Sequence, residues 1–597
     1  MTGVLHGTTS RVAIGALLLI VSGGWGALAM AQTVSGQAGG SAPLTYANPG
    51  NGDDTATAPD GSSASASDSA DGAYSPPPRG TTMKKRRRTR IIPYLEIDQS
   101  VYDQVNPHAP VETYTTAAAG VDVTIADART TGVASLRYEH HFEEAGGIGN
   151  SNTFTGIART TTEIVPRTLT FDFGALATRT AIAPDGGILT NPVNNVGSLY
   201  QIWSVYGGPA LSTRAGVVGI KAAYDVGYNE IDQLRAYVPA AGGAPVDLFS
   251  HSLSQQATAS AGVRPGEVLP FGVTLMGSYL REDLSSLDQR LIDERAGVQF
   301  MQPVSRTVAL VADVGWEKVV VSQRNAVYDA NGNPETQANG QYVVDSGAPR
   351  QLAYKTDGLT WDVGVVWRPS RRTMASAYVG RRYDSTTYYG SLYYAPDSRQ
   401  SLNLTVFDGI YGFGSGMMTA LQQLPTDFTV TRDPFSGNVG GCFLGSTAGS
   451  CVTGALGSAN ALIFHTRGFN ATYGVTLGHM NLNLGGGYVS RRFIAAPDTV
   501  LASENGALDQ TWYVDAGLSG PIDRQTRFYV NGFASLYRTD AFAYGDTGDW
   551  GVNGSLIHHL SDRLVGTASF EVMGVRPQVS PDQLEMLGQI GLRYNFN

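Results

Sequence analysis

The sequence predicts an all-β fold, a closed antiparallel transmembrane β-barrel of about 22 strands behind a disordered N-terminal linker. Three observations predict it. Residues 1–31 read as a secretory signal. Period-two alternation of apolar and polar residues runs from Ile91 to the C-terminus. Short polar turns then alternate with long Gly-rich or polar loops, the rhythm of strands that cross a membrane and return.

The signal comes first. Arg11 precedes the apolar run Val12–Val21, and Ala29-Met30-Ala31 supplies a small-x-small pattern, so cleavage is expected near Ala31. The alternative is a transmembrane helix, but the apolar core is short for one. No Cys follows the run to carry a lipid. No later segment offers the roughly 18 unbroken apolar residues of a spanning helix. An exported chain of this kind is either soluble or a closed barrel, because hydrocarbon leaves no partner for an unpaired sheet edge. The 597 residues carry 51 Asp+Glu against 41 Lys+Arg, a balance that disfavours nucleic acid as a partner.

Residues 32–90 form the expected disordered periplasmic linker. Up to residue 80 they are Ser, Ala, Gly, Asp and Pro with almost no large apolar side chain, too little to offset chain entropy. The linker ends in the basic run Lys84–Arg90. That run is either a solvated tether or a contact for anionic headgroups or a periplasmic partner.

The barrel domain is expected over 91–597. Alternation is cleanest in Val308–Trp316, where Val308, Leu310, Ala312, Val314 and Trp316 share one face, and in Leu359–Trp367. Strand starts are expected from near 91 and 113 to near 563 and 584, with the weakest alternation near 153, 198 and 388. Turns such as QPVSR (302–306), RPSRR (368–372) and HLSDR (559–563) would face the periplasm; links such as 229–251, 322–356 and 409–466 would face outside. Tyr224, Tyr228, Trp316, Trp361, Trp367 and Trp512 sit where interfacial girdles belong. A soluble sandwich rarely needs so many strands, and a solenoid needs a fixed repeat that is missing here.

The C-terminus QIGLRYNFN also alternates. It resembles the C-terminal strand signal by which Gram-negative outer-membrane barrels are recognised for assembly, carried here by Gln589, Gly591, Tyr594 and Phe596. Asn597 departs from it by standing beyond the last aromatic. IIPYLEIDQSVYDQV, YLREDLSSLDQRLIDERAGVQF and VGRRYDSTTYYGSLYYAPDSRQSLNLTVFDGI resemble a porin-like outer-membrane β-barrel family often associated with exopolysaccharide production. The resemblance implies an outer-membrane location and a link to polysaccharide export; it identifies no substrate and no site residue.

A barrel this wide cannot be filled by its own wall side chains, so it holds water or a plug. Parity places Asp122, Arg137, Asp172, Lys221, Asp225, Asp313, Asp362, Asp515, Glu571 and Arg593 on the lumen side as pore-lining candidates. Their acidic excess suggests weak cation preference; the alternative is that these charges only solvate the wall and neutralise one another. Inner tyrosines such as Tyr513 and Tyr529 would offer sliding faces to sugar rings. The insert 409–466 contains SGMMTALQQL, which can form a short helix, and GGCFLGSTAGSC, whose Cys442 and Cys451 would close a small disulfide loop in an oxidising compartment. The insert is either a surface loop or a constriction folded into the pore.

No cofactor or metal site is expected, and enzymatic chemistry is disfavoured. No G-x-S-x-G spacing occurs, and the pairs His140-His141 and His558-His559 put neighbouring rings on opposite faces of a strand. The expected function is a channel passing hydrophilic solutes or assisting exopolysaccharide export by passive passage. The competing expectation is a structural or docking barrel without an open pore. Expected partners are outer-membrane lipid, the barrel-assembly machinery and periplasmic polysaccharide-export proteins.

Overall fold

The computed structural model describes residues 88–596, except 146–149, 183–187, 190–198, 234–249, 338–340, 398, 429, 431, 440–441, 446–448, 453–455, 457–461, 541–545 and 579–580. The expected signal peptide, most of the linker and Asn597 lie outside the described residues.

Twenty-two antiparallel strands close one ring. They run from Arg88–Asn106 to Gln583–Asn595, and these two strands pair with each other from Tyr94↔Asn595 to Asn106↔Leu584. Phe596 adds a last bond, its N–H donating to the Pro93 carbonyl at 2.9 Å. The alternating tail is therefore the strand that seals the sheet and leaves it no edge. The expected weak strands are present as Ser151–Val165, Leu199–Ala215 and Ser385–Asp397. One boundary moves: the wall starts at Arg88, so Arg88–Arg90 belong to the first strand and not to the linker, paired with Ala126, Ile125 and Thr124. The second strand of that hairpin is long enough to extend the ladder back over the end of the basic run.

Strands of 10 to 20 residues exceed the 9–11 or so that a tilted strand needs to cross hydrocarbon. Their outer face is apolar. Leu310 pairs with Val365, Val314 with Trp361 and Trp316 with Leu359, and all six side chains are exposed. Trp512, Val514, Ile590 and Leu592 continue the same face elsewhere on the ring. An apolar belt of this kind in water would drive association. No helix among the described residues is long and apolar enough to cross a membrane.

Chain direction separates two ends. Short turns such as 127–129, 304–307 and 560–563 lie at one end, together with the start of the first strand and the close of the last. The longer connections, among them 324–350, 412–462 and 495–507, leave from the other. There the loops cross-brace: Asn325 Nδ2 donates to the Asp498 carbonyl at 3.0 Å, and Gln323 Nε2 donates to Thr499 Oγ1 at 2.8 Å.

Candidate functional site

The connection between Gln400–Tyr411 and Ile463–Leu477 turns inward and crosses the lumen. Its helix, Phe413–Gln422, buries Phe413, Met417, Met418 and Leu421. These pack on inner-wall residues that alternation had already turned away from lipid, among them Ile157, Leu176, Ile202, Leu291 and Val321. The helix starts near the long-loop end, where the buried carboxylate of Glu282 accepts from the N–H groups of Gly412 (2.9 Å), Gly414 (2.8 Å) and Ser415 (3.2 Å). A helix N-terminus offers unpaired donors and partial positive charge, and Glu282 meets both. Gly414 is required for this approach, since a Cβ there would stand 2.0 Å from Ser252 Oγ.

A 10-residue helix descends about 15 Å. Below it the chain continues to Thr426, whose Oγ1 lies 3.2 Å from Thr131 Oγ1, at the short-turn end of Thr130–Ala145. The chain then crosses the pore. Arg432 donates to Thr155 Oγ1 at 2.7 Å and to Ser135 Oγ at 2.9 Å. Asn553 Nδ2, on another sector of the wall, donates to Asp433 Oδ2 at 3.2 Å. Phe435 packs with Tyr102, Tyr114 and Leu587. Asn438 Oδ1 accepts from the N–H of Arg179 at 2.9 Å. Cys442 and Cys451 form a disulfide across the short hairpin of Cys442–Leu444 and Gly449–Cys451. That hairpin lies on Gly485, where a Cβ would meet Cys442 Sγ at 2.3 Å. The insert is thus a plug braced on well-separated sectors of the ring.

The lumen charges are organised around arginines. Arg137 reaches Glu96 (2.7 Å), Asp98 (3.4 Å) and Glu139. Arg295 bridges Asp313 (2.7 Å) and Asp362 (3.4 Å). Arg382 pairs with Glu317, and Arg159 with Asp172 at 3.3 Å. Arg593 pairs with Asp122 at 2.7 Å and covers the Tyr94 ring. Apart from the partly exposed Arg593–Asp122, these pairs are largely buried, so their acids are held by a cation instead of facing open water.

Of the ten pore-lining candidates, Arg137, Asp172, Asp313, Asp362, Asp122 and Arg593 fall into these pairs. Asp225 faces Gln422 at the foot of the helix, Asp515 accepts from Asn531 Nδ2 at 3.2 Å, and Glu571 is buried. Lys221 stands apart near the short-turn mouth. Arginines that the same parity assigns to the lumen, Arg159, Arg295 and Arg382, hold several of these acids, while among the described residues the buried carboxylates still outnumber the buried arginines. Glu282, the residue that anchors the plug, alternates inward in YLREDL but carries no local sign of its partner. Tyr513 is corrected as a sliding surface, because it packs against Cys451 and Val489 and supports the plug. His140 contacts Asn152 and Phe142 while His141 contacts Glu139 and Tyr114, which keeps the two rings on opposite faces. Among the described residues no group of three metal-ligating side chains occurs.

No protein family and no curated sequence matches the chain. Solved structures do resemble it in outline. The FrpB iron transporter of Neisseria meningitidis (F5-1 variant) is 10% identical with a TM-score of 0.40, over 85% of this chain and 82% of that one. OccK8 (OprE) of Pseudomonas aeruginosa is 11% identical with a TM-score of 0.26, over 85% and 98%. A loop-deletion mutant of the outer-membrane protein OmpT of Vibrio cholerae is 8% identical with a TM-score of 0.24, over 85% and 99%. Likeness this slight carries no weight for function or substrate.

Proposed function

We propose that the chain is an outer-membrane channel for hydrophilic solutes, held constricted by its own insert. The supporting observation is the plug: a polar, charge-paired lumen crossed by a segment anchored at Glu282 above and reaching Thr131 below. A barrel meant only as an anchor has no need of a wide wall lined with ion pairs, and a porin open at rest has no need of so many plug contacts. Passage follows when the insert shifts, and selectivity comes from the width and charge it leaves behind, with no chemical step. The lipid-facing belt and the C-terminal strand signal support assembly in the outer membrane by the barrel-assembly machinery. The family resemblance supports polysaccharide as one cargo, supplied by periplasmic export proteins that the basic run 84–90 would contact.

The sealed-anchor reading draws on the apolar side chains that hold the plug in place. Planar-bilayer conductance separates the two. The ends of the insert are already paired at Tyr411↔Phe464, so a short hairpin turn can replace 412–462 without moving the wall. The full chain should show brief or small openings, and the shortened chain a steady large conductance. A full chain that never conducts and never releases solute from liposomes would overturn the channel and leave the anchor.

A further inference from the structure

The two ends of the barrel carry opposite charge. The ten short turns hold nine arginines and four acidic residues, whereas the described residues of the connections at the other end, the inward-turned insert left out, hold two arginines and ten acidic residues. At the short-turn end the inner wall is hollowed into a cavity of about 330 Å³ lined by Arg167, Arg214, Lys221 and Arg264, with the hydroxyls of Thr168 and Ser212 between them. The four cations come from four places in the chain: the turn after Ser151–Val165, the strand Leu199–Ala215, the strand Val218–Gln233 and the turn after His251–Val263. The register joins them. Ser212 lies opposite Lys221 and Arg214 opposite Gly219, on the face that carries Asp225 and Gly227 up to the plug helix.

Among the described residues, Glu267 is the one carboxylate that pairs with any of the four, meeting Arg214 at 2.7 Å. Lys221 and Arg264 lie close enough to repel each other. A cluster with this surplus positive charge is stabilised by an anion. Arg167 adds a second sign. It follows Pro166, has φ +61° and stands where a turn of this kind takes Gly or Asn. The Thr168 N–H closes that turn onto the Val165 carbonyl at 3.0 Å. Left-handed backbone is unfavourable for a residue with a long side chain, and the residue so held lines the cavity.

We infer that Arg167, Arg214, Lys221 and Arg264 form a binding site for an oxyanion, a phosphate, carboxylate or sulfate group, at the short-turn mouth beneath the plug. The site deepens the channel reading, resting on it only for the direction from which the anion arrives. In that reading it recruits an anionic solute or polymer on the periplasmic side and presents it to the foot of the plug.

The test uses the full chain in phosphatidylcholine nanodiscs, with pyrophosphate as the probe and calorimetry as the readout. Saturable binding is expected at low salt, weakening as salt rises. Lys221→Gln with Arg264→Gln should weaken it about tenfold or more, the loss expected when two charge-assisted contacts become neutral ones. Arg306→Gln, at a short turn outside the cavity, should leave binding unchanged. Nanodiscs containing phosphatidylglycerol separate the two sources of the anion: unchanged affinity assigns the site to soluble anions, while a drop seen in the parent chain and absent from the double variant assigns it to a lipid phosphate. No saturable binding, equal binding by the double variant, or equal loss in Arg306→Gln would overturn the site. Conductance is not the readout, so a sealed barrel that binds pyrophosphate would sink the channel while sustaining the site.

Discussion

The strand Val308–Gln323 and the helix Phe413–Gln422 use apolar residues in opposite ways. On the strand, Leu310, Val314 and Trp316 point outward and stay exposed, while the inward Val311, Val319 and Val321 are buried. On the helix, Phe413, Met417, Met418 and Leu421 are all buried, against wall residues that lie hundreds of positions away in the chain, such as Ile157 and Ile202. The wall answers to a uniform surrounding on each side, so parity alone fixes every position. The insert answers to one particular surface, assembled only when the ring closes. Damage to the wall should therefore be paid in folding, and damage to the insert in gating.

The largest effect tests the wall. Val363→Arg puts a charge in the middle of an outward-facing strand and should cost roughly 2–4 kcal/mol of barrel stability, read as a lower urea midpoint for loss of heat-modifiable migration. The insert is probed at its anchor. Glu282→Ala strands the donors of Gly412, Gly414 and Ser415 and should loosen the plug by about 2–3 kcal/mol, with longer channel openings and an unchanged urea midpoint for the wall. A lowered midpoint would mean that plug and wall fold as one unit. Replacing Cys442 and Cys451 by Ala removes a nine-residue link and should cost the insert about 2 kcal/mol or somewhat more, seen as faster hydrogen exchange at Phe443 than at any wall strand.

The smallest effect is a pH response of the outer loops. Burial raises Glu504, in the connection 495–507, from its ordinary value near 4.5 to about 7. The folded loop therefore prefers the protonated carboxyl. Its contribution is full below pH 4.5 or so and is lost as pH rises through about 7. Exchange at Ala502–Glu504, corrected for intrinsic rate, should quicken between pH 5 and pH 8, and Glu504→Gln should abolish the difference.

The same contrast explains what could be read in advance. Every wall strand was legible, including the faint ones near 153, 198 and 388, because a period-two pattern needs no knowledge of the neighbour. The basic run's overlap with the first strand was not, because the pairing of Arg88 with Ala126 depends on the length of the second strand. In the insert, the helix and the disulfide could be anticipated from SGMMTALQQL and the cysteine spacing. Its path could not, since Glu282, Thr131 and Asn553, which hold it, carry no mark of that role. The pairing of the lumen acids was hidden for the same reason: Asp313 and Asp362 look free in sequence until Arg295 is placed between them.

The claim on which the rest depends is that the insert crosses the lumen from one mouth to the other. Its deepest contact is Thr426 with Thr131. Cysteines at both positions should cross-link spontaneously in the folded chain, detected by mass spectrometry of the joined peptides, and a cysteine at 426 alone should resist a membrane-impermeant reagent applied to whole cells. A cysteine at 426 that is labelled from outside and never joins position 131 would put the insert on the surface and contradict the plug.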